Sequence, residues 1–374
     1  MPHVPGFTAA PEMTAAFADV QRHFMHTIVP MWSGPGWNAE LALPYEALTP
    51  EHHHLPVQRY RAMACARQLY VFSSLIGQHP GAHEHAGLLF RSLQRHFHDA
   101  EHGGWFYSVD AQGEPLDTRK DLYTHAFILF ACAHYWDKIR EPFVASVLDG
   151  ALTVILEQFA TSEGLYDSCL ARDWASLGEG PLQNPLMHLT EAFLAALSVR
   201  DDAQVHTALL ALTNAMHKHF VEPVNNLMLE KPLGAVDNWF EPGHQFEWYY
   251  LVGASPILRG SPLHRSLEQA FGFAQVHGVK DGAVLAMLHP DGSVRDATQR
   301  IWAQAEYLRA LTLRPDAQER VAAQLAVLRE RFLHDQGWIE CRDGTGEISR
   351  HDMPSTTPYH LATSYQGIAA ALQL

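Results

Sequence analysis

The feature that most constrains the fold of this chain is a turn that recurs about every 58 residues. Each copy carries glycine or asparagine, and several copies continue into a short β-like run that predicts a small hairpin. The turns are centred on Gly104, Gly164, Asn226, Gly282 and Gly337, which are 60, 62, 56 and 55 residues apart. A regular period of this length indicates a repeat architecture, in which each unit packs on its neighbours.

Two helical patterns lie in each repeat, with apolar residues at i, i+3, i+4 and i+7. We predict twelve helices in six pairs, at residues 10–29, 57–77, 83–98, 121–138, 143–160, 185–198, 202–219, 243–257, 262–276, 298–313, 316–332 and 360–372. One pair cannot bury both of its faces, so the pairs must stack as an open superhelix or a closed ring. Hairpins of differing length on one rim, and the lack of a polar cap at either end, favour closure. The sequence therefore predicts an all-α (α/α)6 barrel of twelve helices with short β-hairpins on one rim, as a single domain over residues 1–374.

Composition limits the classes of function. The chain has 374 residues, 47% hydrophobic and 18% charged, which is enough to bury a large core. A formal net charge of −15 without a Lys/Arg stripe argues against nucleic-acid binding. We predict a cytoplasmic protein, because no export signal and no run of 18 apolar residues is present. Four widely spaced cysteines and the lack of paired Cys/His spacing give no reason to expect a disulfide framework, a metal or a cofactor.

Chemically capable side chains concentrate at the starts of the even-numbered helices. These starts are Asp121–His125, Asn184–Glu191, Pro242–Trp248, Thr298–Glu306 and Pro358–His360. In a barrel of alternating helices the even helices all begin at the same end, so the five starts would converge on one funnel. Core packing would favour Leu and Ala at such positions. The recurrence of His, Glu, Tyr and Trp there predicts a functional site.

The spacing His-x-x-Glu occurs twice in these starts, as His188 with Glu191 and as His244 with Glu247. Residues three apart share a helix face, so each carboxylate could orient the imidazole or bind a substrate hydroxyl. We interpret His125 as an interior histidine with its hydrogen bonds satisfied.

Three further side chains are candidates by their chemistry. Trp248 and Trp302 are either core residues or aromatic walls on which a sugar ring can stack. Arg67 is a charge inside an apolar helix, so it needs a carboxylate partner or a polar ligand.

Several runs of the chain are similar to those of a known family of sugar enzymes. They are Ala66–Phe72, Tyr123–Phe127, Asn184–Glu191, Pro242–Trp248, Trp302–Glu306 and Pro358–His360. Together they resemble the N-acylglucosamine 2-epimerase superfamily, which includes mannose isomerase, sulfoquinovose isomerase and cellobiose 2-epimerase. The resemblance extends over about residues 20–372.

This resemblance implies an (α/α)6 barrel and sugar isomerisation without a metal. By motif, His244 and His360 would be the acid–base pair, and Arg67 and His188 would contact the sugar near its carbonyl end. The substrate-binding candidates are completed by Tyr123, Glu191, Glu247, Trp248, Trp302 and Glu306. One departure concerns the stretch before Pro-Gly-His, where members that act on sulfonated or acylated sugars carry a further basic residue. Here Asp237–Phe240 fills that stretch, so we do not expect an anionic group on the substrate.

The residues themselves suit the movement of a carbonyl between C1 and C2 of an aldose. A weakly acidic proton must leave one carbon and return to its neighbour while the oxygen is polarised. A histidine kept neutral by a helix N-terminus is a suitable base, and Arg67 would stabilise a cis-enediolate. We therefore predict an aldose–ketose isomerase acting on a free monosaccharide, with D-mannose and D-fructose as the first choice.

Other functions remain open at this point. A 2-epimerase of mannose, cellobiose or N-acylglucosamine needs acid–base groups on both faces of C2, and a sequence does not place rings around a substrate. A glycoside hydrolase on the same barrel is disfavoured because histidines, rather than paired carboxylates, dominate the helix starts. A helical scaffold for protein partners is disfavoured because the capable residues gather at helix starts. A homodimer is left open as an assembly.

Overall fold

The computed structural model describes residues 6, 11–314 and 316–374, and these residues form twelve helices. The helices are α1 (Pro11–His23, continued by Phe24–Ile28 and Val29–Ser33), α2 (Ala62–Ser74), α3 (Ala82–Ser92, continued by Leu93–Phe97), α4 (Leu122–Ile139), α5 (Pro142–Val154, continued by Ile155–Phe159), α6 (Gln183–Val199), α7 (Ala203–Phe220), α8 (Pro242–Ala254), α9 (Pro262–Gly278), α10 (Ile301–Leu311), α11 (Gln318–Arg331) and α12 (Thr357–Leu372). All twelve predicted helices are present, although residue 10 of the first one lies outside the described residues. So do residues 1–5, on which the prediction about export partly rests.

Short strands join the helices. They are β1 (Trp37–Asn38), β2 (Leu43–Pro44), β3 (Ala47–Leu48), β4 (Tyr60–Arg61), β5 (Ser108–Val109), β6 (Pro115–Asp117), β7 (Lys120–Asp121), β8 (Cys169–Leu170), β9 (Val279–Lys280), β10 (Ala283–Val284), β11 (Met287–Leu288), β12 (Val294–Asp296), β13 (Gln299–Arg300), β14 (Leu333–His334), β15 (Gly337–Trp338), β16 (Cys341–Arg342), β17 (Ile348–Arg350) and β18 (Met353–Pro354). The predicted hairpins are the antiparallel pairs β5–β6 and β11–β12, and a third pair is β16–β17.

The strands correct the predicted starts of two helices. Helices were predicted from residues 57 and 298, but α2 begins at Ala62 and α10 at Ile301. The residues before them are β4 and β13, which pair with β5 and β16 of the following repeat. β7 precedes α4 and pairs with β8 in the same way. Each of these even helices is therefore tied at its start to the next hairpin along the chain.

The chain divides into two compact units. The 52–215 unit consists of His52–Ala215 and Trp32–Leu48. The 216–374 unit consists of Met216–Leu374, Thr49–Glu51 and Met1–Met31, as far as these residues are described.

In the 52–215 unit the even-numbered helices pack in series, α2 on α4 and α4 on α6. Helix α3 packs on α2, and α5 packs on α4. All residues of α2 except Ser74 are buried. Among the described residues, the segment Pro142–Phe159 in α5 has the length and apolar composition of a membrane span. It contains Asp149 and Glu157, and helices in the cores of soluble proteins have the same properties.

The 216–374 unit repeats this arrangement. Helix α8 packs on α10 and α10 on α12, while α9 contacts α8 and α11 contacts α10. Every residue of α8 is buried, whereas α11 buries only Val321, Gln324, Leu325 and Leu328. The even helices therefore form the interior layer of each unit, as their more apolar sequences predict.

Interior polar side chains follow the same repeat. The Gln304 side chain accepts a hydrogen bond from the Val284 N–H at 2.9 Å and donates to the Val284 carbonyl at 3.1 Å. Gln245 makes the same pair of bonds to Met228, at 2.9 and 2.7 Å. Each even helix of these two repeats is thus bonded to the turn that precedes it. All four cysteines of the chain are free, which agrees with the expectation that it has no disulfide framework.

Candidate active site

His244 lies in the first turn of α8, where Glu241 precedes the helix and Pro242 is its first residue. Proline is tolerated at this position because its missing N–H has no partner within the helix anyway. Nδ1 of His244 is 2.8 Å from Oε1 of Glu230, which also accepts the backbone N–H of Glu241 at 3.3 Å. With Nδ1 donating to this carboxylate, Nε2 is the nitrogen left for proton transfer.

The partner of His244 differs from the one that the spacing predicts. We expected Glu247 to orient this ring, but the hydrogen-bond partner is Glu230, 14 residues earlier in the chain. The backbone N–H of Glu230 donates to the Trp239 carbonyl at 3.0 Å, which closes the loop between them. That loop, rather than helix periodicity, places the carboxylate against the imidazole.

The charges around His244 raise its pKa to about 9. Burial is the largest single influence and lowers the pKa, but the negative charges of Glu230 and Glu241 together outweigh it. The predicted lowering by the helix N-terminus is therefore wrong for this residue. At pH 7 His244 is an imidazolium, which makes it an acid rather than a base in the resting protein.

His360 forms the second imidazole–carboxylate pair of the 216–374 unit. It lies in the first turn of α12, and its Nδ1 is 2.7 Å from Oε1 of Glu306 on α10. The other oxygen of Glu306 accepts Nη1 of Arg309 at 3.4 Å. Glu306 is fully buried, and protein groups engage both of its oxygens. Its predicted role in substrate binding is therefore replaced by that of orienting His360.

Trp302 connects the two pairs. Its ring centroid is 5.1 Å from that of His244 and 5.4 Å from that of His360. The two imidazoles are therefore no further apart than the sum of these distances. A Cβ atom added at Gly243 would lie 2.7 Å from two ring atoms of Trp302. The glycine of Pro-Gly-His is thus what lets α8 approach this indole so closely.

The two predicted tryptophans differ in accessibility. Trp302 is half-buried and keeps part of its ring open to a ligand. Trp248 is 0% exposed, so its ring packs in the interior and offers no surface for a sugar. We therefore omit Trp248 from the proposed substrate-binding residues.

Each imidazole also has a second carboxylate nearby. In each group below, atoms of the kind that bind metal ions lie within 4.8 Å of one another. The groups are Glu230 with Glu241 and His244, and Glu247 with Glu306 and His360. In both groups the histidine Nδ1 shares a proton with a carboxylate at hydrogen-bond distance, so we assign hydrogen-bonded pairs rather than metal ligands.

The 52–215 unit brings together its own predicted residues. Nη2 of Arg67 donates to Oη of Tyr123 at 2.6 Å, and its guanidinium carbon lies 4.2 Å from the ring centroid of Phe127. The His188 ring packs edge-on against Tyr123, with centroids 5.0 Å apart, and its Nδ1 is 3.3 Å from Glu191 Oε2. The His-x-x-Glu spacing therefore predicts this second pair correctly. A cation, a phenol and an imidazole together offer donors and acceptors suited to a polyhydroxylated ligand.

His125 is structural, as we interpreted it. Its Nε2 accepts the backbone N–H of Trp105 at 3.1 Å, so Nδ1 donates to the Asp121 carbonyl at 2.8 Å. Complete burial lowers its pKa to about 4. It therefore joins a helix to a hairpin as an uncharged ring.

Sequence reasoning missed Glu230, Arg309, Gly243 and Phe127. Glu230 and Arg309 act on histidines that lie 14 and 51 residues away. No helix or strand spacing connects such positions. Phe127 lies four residues after Tyr123 in α4, so the shared helix face was the signal that could have found it.

Solved structures similar to this chain show its fold class. A cellobiose 2-epimerase from Bacillus thermoamylovorans B4167 matches with a TM-score of 0.86 and 17% identity, over 96% of this chain and 99% of that one. A D-mannose isomerase matches with a TM-score of 0.83 and 17% identity, over 99% and 100% of the two chains. Both are (α/α)6 barrels, and this is the fold class of the present chain.

The sequence places the chain within a family. The profile of N-acylglucosamine 2-epimerase (GlcNAc 2-epimerase) matches residues 45–364. The chain therefore belongs to the N-acylglucosamine 2-epimerase family, as its motifs predict.

Two relatives illustrate the range of this family. The D-mannose isomerase of Pseudomonas cannabina pv. alisalensis is 33% identical over 181 residues, which is 43% of this chain and 42% of that relative. The match thus spans less than half of the isomerase. The mannose-6-phosphate isomerase of Rhizobium meliloti (strain 1021) is 30% identical over 295 residues, which is 69% of this chain and 72% of that relative.

Proposed function

We propose that this chain is an aldose–ketose isomerase that interconverts D-mannose and D-fructose. The observation that carries the proposal is the pair of imidazole–carboxylate units on either side of Trp302, one of which holds a proton at neutral pH. Its likeness to a D-mannose isomerase supports the choice of sugar. We further propose that it works in the cytoplasm, in line with its acidic composition.

In this mechanism His360 is the base and His244 is the acid. Unprotonated Nε2 of His360 removes the proton from C2 of the open-chain aldose, and the C2–H electron pair forms the C1–C2 double bond. The imidazolium of His244 donates a proton to O1 as the carbonyl π electrons move to that oxygen. The resulting enediol returns to a carbonyl when O2 loses its proton to His244 and C1 takes the proton that His360 holds. Both histidines end as they began, and C2–H and O2–H have become C1–H and O1–H.

We assign sugar binding in the 52–215 unit to Arg67, Tyr123, His188 and Glu191. Arg67 is held by Tyr123 and by the ring of Phe127, so its fork is oriented before a ligand arrives. A fixed cation stabilises an oxyanion without a reorganisation cost. In the 216–374 unit, we propose that Glu247 and Trp302 contact the sugar.

We propose a neutral substrate rather than a phosphorylated one. The segment before α8 contains Asp237, and this carboxylate binds both terminal nitrogens of Arg295 at 2.8 Å. That arginine is thereby occupied by an internal carboxylate. The likeness to a mannose-6-phosphate isomerase makes the phosphorylated sugar the necessary comparison.

A 2-epimerase is the second candidate, because two acid–base imidazoles also suit one proton transfer on each face of C2. The cellobiose 2-epimerases among its relatives favour it. Glycoside hydrolysis is the weaker alternative, since Glu230 and Glu306 are bonded to imidazoles rather than facing each other as an acid and a base.

Turnover in heavy water separates these reactions. D-mannose, D-mannose 6-phosphate and cellobiose are each incubated with the protein in D₂O, and the products are followed by NMR. Isomerisation of mannose gives fructose with deuterium at C1, whereas epimerisation gives glucose with deuterium at C2 and no fructose. His244→Ala and His360→Ala should each lower kcat by about 10²–10⁴ with an unchanged circular dichroism spectrum. No turnover of any of these sugars by the wild type contradicts the proposal.

A further inference from the structure

Arg309 is a buried arginine that contacts the carboxylate of the His360–Glu306 pair. Its Nη1 is 3.4 Å from Oε2 of Glu306, and its guanidinium carbon is 4.2 Å from the ring centroid of Tyr250 on α8. A Cβ atom added at Gly367 would lie 3.3 Å from Arg309 Cγ and 3.4 Å from Tyr250 Oη. Close packing from α8 and α12 therefore holds this side chain in place beside Glu306.

The other imidazole has an arginine in a different position. Nη1 of Arg300 is 3.8 Å from Oε2 of Glu241, which is not the carboxylate hydrogen-bonded to His244. The Arg300 side chain is 33% exposed, whereas that of Arg309 is 9% exposed. Solvent screens the exposed ion pair much more than the buried one. Arg309 therefore weakens the hold of its carboxylate on a histidine proton, and Arg300 does so far less.

Several charged or titratable groups of the 216–374 unit face His360. Helix α10 contributes Glu306 and Arg309, and α8 contributes Glu247, whose carboxylate lies within 4.8 Å of the His360 ligand atom. Glu340, before β16, accepts Oγ1–H of Thr357 at 2.8 Å at the start of the same helix. Burial raises the pKa of Glu340, which favours its uncharged form. Arg309 is thus a cation placed among carboxyl groups.

We propose that Arg309 is a positioning residue that keeps His360 unprotonated in the resting enzyme. By sharing the Glu306 carboxylate, it allows that carboxylate to orient the imidazole without holding a proton on it. The two chemically similar pairs are thereby set in opposite states, with His244 protonated and His360 free to accept a proton. This inference rests on the proposed function, in which His360 removes the C2 proton.

The resting protonation state can be measured without turnover. Protein labelled with ¹⁵N-histidine is titrated by NMR, and the signals of His360 are identified by their loss in His360→Asn. In the wild type at pH 7 the ring should be neutral. In Arg309→Met the full charge of Glu306 acts on the imidazole, so the ring should hold its proton to a pH about one unit higher or more. An unchanged titration in Arg309→Met overturns the inference, whatever the activity.

Kinetics provide the second readout. The acidic limb of the kcat/KM pH profile on the accepted sugar should move to higher pH in Arg309→Met by about one unit, so activity recovers as the pH rises. Arg300→Met is the matched control and should move that limb much less. A uniform loss of kcat at all pH values, with the limb in place, indicates a purely structural role and contradicts the proposal.

A variant that fails to fold does not end the test. Arg309→Lys keeps the charge but cannot reproduce the planar fork of the guanidinium, so a smaller shift in the same direction is expected. No shift in Arg309→Lys, when Arg309→Met is unfolded, overturns the inference. Failure of the proposed function is distinguishable, since it appears as no sugar turnover by the wild type while the NMR titration still reports on Arg309.

Discussion

Nδ1 of His244 donates to Oε1 of Glu230 at 2.8 Å, and this contact sets the chemical character of the histidine. Near a helix N-terminus an isolated imidazole would lose its proton more easily. Here a buried carboxylate faces the ring, and Glu241 adds a second negative charge, so the pKa rises to about 9. The local helix is thus overruled by a loop residue.

Glu230→Gln should convert His244 into a weaker holder of its proton. Glutamine can still accept the hydrogen bond, but the negative charge that raises the pKa is gone. If protonated His244 is the acid, the alkaline limb of the kcat/KM profile should fall from about pH 9 by one unit or more. Glu241→Gln is the matched control and should shift the limb less. An alkaline limb that stays in place in Glu230→Gln would separate His244 from the acid step.

The same ion pair predicts how stability depends on pH. The folded-state pKa of His244 is raised from 6.5 to about 9, so the stabilisation is complete below about pH 6.5 and is lost as the pH rises through 9. Its size is at most about 3 kcal/mol. Urea unfolding at several pH values measures the difference in free energy of unfolding between the wild type and His244→Asn. That difference should shrink from pH 6 to pH 10, and a constant difference would contradict the assignment.

His125→Leu should reduce stability and leave the chemistry intact. The leucine cannot accept the Trp105 N–H or donate to the Asp121 carbonyl, so a buried donor loses its partner. We expect a loss of about 1–3 kcal/mol in the free energy of unfolding. The kcat below the unfolding temperature should stay within a factor of about two, in contrast to the loss of several orders of magnitude for His360→Ala. A large fall in kcat at full folding would instead place His125 among the functional residues.

The helical part of the fold was predictable because it is repeated. Twelve apolar patterns and a period near 58 residues identify the helices, and the even helices are the buried ones in each unit. The starts of α2 and α10 were placed too early, because Tyr60–Arg61 and Gln299–Arg300 pair with strands some 40 residues further along. Such pairing leaves no periodic signal in the residues themselves.

The site was predictable in its bases and not in their partners. Proline and glycine at a helix start indicate where His244 lies, and the i, i+3 spacing correctly joins His188 to Glu191. The spacing fails for Glu247, because the Glu230 loop occupies Nδ1 of His244 first. Burial decided between the two tryptophans, and burial follows from tertiary packing rather than from sequence type.

Gly243→Ala should disturb the site through Trp302. The added methyl would lie 2.7 Å from two atoms of the indole and 2.9 Å from the Cβ of Ala303, so the ring or the helix must shift. Overpacking of this kind costs about 1–3 kcal/mol, and movement of the ring between His244 and His360 should lower kcat/KM more than tenfold.

Trp302→Phe is the partner variant in a double-mutant cycle with Gly243→Ala, because the smaller ring removes the atoms that the methyl would meet. The double variant should recover most of the unfolding free energy lost in Gly243→Ala, as measured by urea denaturation. If the two losses simply add, the methyl is accommodated elsewhere, and Gly243 does not position the indole.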